Sequence, residues 1–87
     1  MKSGLVIAMN SEFNGEFPFE KFYPIKDNPE LVVRLTVGKS TDKFWVESDI
    51  VTSESGKIIY HLGVRQNIDS IFDAVQVGLN FYHFSGK

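Results

Sequence analysis

Hydrophobic and polar residues alternate through the middle of the chain. Residues 31–37 set Leu31, Val33, Leu35 and Val37 against Val32, Arg34 and Thr36. Residues 43–51 set Phe44, Val46, Ser48 and Ile50 against Trp45, Glu47, Asp49 and Val51. Residues 57–64 set Ile58, Tyr60, Leu62 and Val64 against Ile59 and His61. A period of two is the mark of a strand with one buried face. Pairing Val37 with Phe44, and Ile50 with Ile58, brings the first set of each strand to a common face. Leu35 then meets Val46, and Val46 meets Leu62. A slip of one residue at either turn would scatter these apolar positions. The pattern therefore predicts an antiparallel meander of three strands, joined by turns at 38–43 and at 52–56, where "TSESG" is turn chemistry.

The period changes after residue 67. Ile68, Ile71, Phe72, Val75, Leu79 and Tyr82 have the spacing of an amphipathic helix over residues 68–82. Asn67 is the expected N-cap, and Asp69 suits the positive helix start. Gly78 either admits a close approach to the sheet or ends the helix, in which case 79–84 would form a last strand. A three-stranded sheet with one apolar face needs a cover, and this helix supplies it.

Before the meander, residues 4–13 read as a strand and Asn14-Gly15 as a hairpin turn. Phe17 and Phe19 then alternate with Glu16, Pro18 and Glu20. Placing Phe17 opposite Phe13 requires a three-residue loop or a bulge, and Pro18 suits an edge strand. Residues 26–30 form a further turn, in which Pro29 biases Asn28 away from helix. The expected fold is α+β in a single domain: an N-terminal hairpin, a three-stranded antiparallel meander, and a C-terminal helix on one face.

Composition narrows the chemistry. The 87 residues include no cysteine, so disulfides, thiol catalysis and cysteine-based zinc sites are excluded. Stability must come from apolar packing, and eight Phe, three Tyr and one Trp provide large surfaces for it. Nine basic residues stand against eleven acidic ones, which argues against duplex DNA as a partner. The opening apolar run, Leu5 to Met9, is shorter than the core of a signal peptide. No segment reaches the roughly 20 apolar residues of a membrane span. A cytosolic protein is expected.

One motif invites a nucleotide. Gly38-Lys39-Ser40 matches the end of a P-loop. However, Val33 stands where the first glycine belongs, and the residues that follow alternate as a strand. Such a loop has neither the wrap nor the helix dipole that phosphate binding uses, so a hairpin turn is expected. His61 and His83 lack metal-ligand spacing, and no nucleophile elbow is present. The acids Asp42, Glu47, Asp49 and Glu54 form no recognisable pair. Neither a catalytic group, a metal nor a cofactor is expected, and so short a chain leaves little room for a deep pocket.

The expected register places Arg34 opposite Glu47, and Glu47 opposite His61, as a cross-strand charge ladder on the outer face. Val32, Trp45, Val51 and Ile59 share that face. Either the N-terminal hairpin covers this apolar surface or another chain does, a second copy included. The leading expectation is a non-catalytic adaptor or inhibitor that binds a partner protein through Trp45, Ile59, Val32, Arg34, Glu47 and His61. Small phage and mobile-element proteins work in this way, although no residue shows that origin. A second expectation is a single-stranded nucleic-acid binder that stacks bases on Phe17, Phe19, Phe22 and Tyr23 beside Lys21. A homodimer of structural role is a third.

Overall fold

The computed structural model describes residues 16–84. The expected strand at 4–13 and the Asn14-Gly15 turn lie outside them. Four strands, β1 (Phe19–Ile25), β2 (Asn28–Ser40), β3 (Lys43–Thr52) and β4 (Ile58–Ile68), precede one helix, α1 (Ile71–His83). The strands form one antiparallel sheet in the order β1-β2-β3-β4. The fold is α+β, as the alternation implied, with β1 extending the meander from three strands to four.

Tight turns set the register. Ser40 pairs with Lys43, so only Thr41 and Asp42 form the β2–β3 loop, with Thr41 at φ 62°. The strands are longer than their apolar cores suggested, and Val37 faces Val46 rather than Phe44. This slide of two residues leaves every side chain on its expected face, because the pleat itself repeats every two residues. Lys26 and Asp27 form a similar turn between β1 and β2, with Asp27 at φ 66°. The β3–β4 link is tied down by Thr52, whose amide donates to the Lys57 carbonyl at 2.9 Å and whose carbonyl accepts from Gly56 at 2.9 Å.

β4 departs from simple alternation. Its pairing with β3 shifts at three places, between Phe44 and Val46, between Ser48 and Asp49, and between Ile50 and Val51. Each extra residue rotates the following side chains to the other face. Ile58 and Val64, expected on the helix side, instead lie opposite Val51 and Glu47 on the outer face. Arg65, opposite Val46, lies on the helix side with its guanidinium 6.0 Å from the Phe81 ring centre.

The core lies between the sheet and α1. Val33, Leu35, Val37, Val46, Ile68 and Ala74 are its buried members, and Phe17, Phe19, Tyr23, Phe44 and Leu62 pack around them. Helix and sheet approach closely at Gly78, where a Cβ would stand 2.8 Å from a Leu35 methyl and 3.0 Å from a Val46 methyl. Gly78 is thus a contact position inside the helix, and 79–83 continue the helix rather than forming a strand. The helix begins later than expected. Ile68 completes the pairing of β4 with Phe44, and Asn67 sits at φ 61° rather than at a cap. Ser70 is the N-cap, its hydroxyl accepting from the Asp73 amide at 3.0 Å. Asp69 pairs with Lys43 across the chain instead of serving the helix start. The buried stripe centres on Ala74 and Gly78, and Phe72, expected within it, is exposed.

Candidate functional site

The outer face carries a row of charged side chains that crosses all four strands. Arg34 on β2 pairs with Asp49 on β3, and Asp49 pairs with His61 on β4. The expected ladder ran through Glu47. The two-residue β2–β3 loop brings Asp49 opposite Arg34, the β3–β4 register brings it opposite His61, and Glu47 becomes its neighbour on the same face. Arg34 Nη2 lies 3.5 Å from Asp49 Oδ2, and Arg34 Nη1 lies 3.9 Å from Glu20 Oε2. His61 Nδ1 lies 2.8 Å from Asp49 Oδ1 and 3.7 Å from Glu47 Oε2.

Asp49 is the centre of the row and is fully buried, with 0% of its surface exposed. A buried carboxylate is tolerated only when paired, and Asp49 has Arg34 on one oxygen and His61 on the other. Glu47 and His61 reach solvent, so the row is dry at its middle and wet at its β4 end. Burial and the adjacent Asp49 carboxylate push the Glu47 carboxyl above its ordinary value, against the opposing pull of His61 and Arg34. Arg34 Nε is buried without a hydrogen-bond partner, so the guanidinium is only partly satisfied.

The expected contact residues divide between core and surface. Val32 is buried, with 6% exposure, and offers no contact surface. Most of Arg34 is covered as well. Trp45 lies over Gly38 on the neighbouring strand, where a Cβ would stand 2.1 Å from the indole. Ile59 is 52% exposed, in a stretch where Ile58 and Val64 are also exposed. The expected cover from residues 4–13 lies outside the described residues.

The residues expected to stack bases divide between the two faces of the sheet. Phe19, Lys21 and Tyr23 pair with Val37, Leu35 and Val33 on the helix side, whereas Phe22 pairs with Arg34 on the outer side. Phe17, Phe19 and Tyr23 pack against the core, with Phe17 5.6 Å from Phe19 and 5.7 Å from Phe44 between ring centres. Burial raises the Tyr23 phenol above its ordinary value.

The false P-loop forms the end of β2 and its tight turn. An open recess of about 420 Å³ lies beside it, lined by Ser40, Thr41, Lys43, Trp45 and Asn67 among others. Among the described residues, no helix is long and apolar enough to cross a membrane.

Sequence reasoning missed Asp49 as the hub, although it named both neighbours. The available signal was its spacing: Asp49 follows Glu47 by two residues and so shares its face. No protein-family model, curated protein or solved structure matches the chain.

Proposed function

We propose that this chain is a small non-catalytic module that binds a partner protein, as an adaptor or inhibitor, along β4 and the adjoining outer face. One observation supports this reading above others. Ile58, Ile59 and Val64 are 48%, 52% and 54% exposed on the last strand of the described sheet. Exposed apolar side chains on an outer strand are what strand addition by another polypeptide uses, with main-chain bonds for affinity and side chains for selection. Trp45, Glu47 and His61 border this strip and belong to the contact surface. Val32 and Arg34 stand on β2, beyond β3 from this strip, and are too well covered to serve as contacts. A cytosolic setting is part of the same reading.

The test uses the full chain. Its mass is measured in solution, and proteins captured from the source extract are purified and titrated back. Either a doubled mass or one purified, stoichiometric partner is expected. The double variant Ile59→Lys/Val64→Glu should weaken that association by about tenfold or more. A monomer with no stoichiometric partner overturns the proposal, as does a partner that binds wild type and variant equally.

A further inference from the structure

The β4 end of the charged row has the makings of a metal site. Glu47, Asp49 and His61 each point one ligand atom at a common space, and those atoms all lie within 4.8 Å of one another. Two come from adjacent positions on one face of β3, and the third comes across the ladder from β4. A tetrahedral ion with bonds of about 2.0–2.1 Å holds its ligand atoms roughly 3.4 Å apart. The separations from His61 Nδ1, 2.8 Å to Asp49 and 3.7 Å to Glu47, fall on either side of that value. The set spans up to 4.8 Å, so the two carboxylates must draw together when the ion binds.

We propose that Glu47, Asp49 and His61 bind a divalent transition ion of the zinc class, through Glu47 Oε2, Asp49 Oδ1 and His61 Nδ1. Charge favours a cation here. Glu20, Glu47 and Asp49 place three carboxyl groups around the single guanidinium of Arg34. Geometry gives Arg34 a compatible place. It meets Asp49 at Oδ2, the oxygen turned away from His61, and so orients the carboxylate from behind as outer partners of metal ligands do. The ligand types choose the metal: one imidazole with two carboxylates suits zinc and its neighbours, whereas calcium and magnesium favour sites made of oxygen alone. Three protein ligands leave a fourth position open. It faces solvent, because His61 is 53% and Glu47 38% exposed. The site does not depend on any partner for its ligands.

Zinc chloride is titrated into the full chain by calorimetry. One ion per chain is expected. His61→Ala and Glu47→Gln should each weaken binding by about tenfold or more, and His83→Ala should leave it unchanged. Glu47 reaches solvent, so Glu47→Gln should fold, whereas His61→Ala also strips buried Asp49 of one partner. A measurement on the unaltered chain does not rely on that: zinc should shift the imidazole resonances of His61 and leave those of His83 in place. Absence of binding overturns the proposal. So does binding that survives both ligand variants, or resonance shifts confined to His83, either of which would indicate an adventitious ion only.

Discussion

Gly38 has no side chain because the Trp45 indole occupies the space where one would stand, with a would-be Cβ 2.1–2.5 Å from three ring atoms. An aromatic laid across a strand glycine is a known means of pinning register, and here it joins β2 to β3 near the tight turn. Gly38→Ala must displace the ring and should cost about 1–3 kcal/mol by overpacking. With Trp45→Ala already in place, the same change should fall within about 0.5 kcal/mol of neutral. Urea unfolding of the two single variants and the double variant measures this coupling. Equal losses in both backgrounds would show that the ring is not what requires glycine. Glu47 makes a second prediction at this scale. Its folded carboxyl binds a proton more tightly than the unfolded one, so between the ordinary glutamate value and the raised one the native state holds the extra proton. Stability from this group is therefore lost as pH rises through that window. In the metal-free chain, Glu47→Gln should raise Tm at pH 7, and the difference should close toward pH 4. Thermal unfolding at the two pH values decides it, and a deficit at pH 7 would contradict the assignment.

At the scale of elements, helix and sheet depend on their ends in different ways. Helix α1 starts where Ser70 satisfies the Asp73 amide. Ser70→Ala should destabilise the protein by about 1 kcal/mol, read as a lower urea midpoint with an unchanged m-value. An unaltered midpoint would mean that another group caps the helix. The expected cap at Asn67 was reasonable chemistry, since Asn is a good cap residue. It was displaced because Ile68 gains more by completing β4 against Phe44, where it is buried in the core. Element type was therefore readable from periodicity, while the boundary followed from a pairing between residues 24 apart in the chain. The same competition shapes β4. Its bulges place Val64 outward and Arg65 inward, a swap that alternation cannot reveal because a bulge consumes a residue without altering the pattern before it.

At the scale of the molecule, β2 and β3 are flanked by strands on both sides, whereas β4 has one described strand neighbour and exposed apolar side chains. Local opening follows such differences in burial. Native-state hydrogen exchange should find the amides of Val33, Leu35, Val46 and Ser48 opening only with global unfolding. Those of β4 that do not bond to β3 should exchange by smaller openings. Equal protection of both groups in the isolated chain would count against β4 as a receptive strand.

Alternation and the helical period were enough to determine the class of fold, the core face of β2 and β3, and the position of the charged residues on the outer face. These follow from local chemistry, because side-chain direction repeats every two residues in a strand and every 3.6 in a helix. A two-residue error in the hairpin left them intact. The identity of ionic partners had no such protection. Moving the register by two residues exchanged Glu47 for Asp49 beside Arg34 and His61, and buried the new partner completely. Which carboxylate becomes the hub, and whether three ligand atoms converge, depends on turn length and on bulges in a neighbouring strand. Those are settled by the packing of the whole sheet.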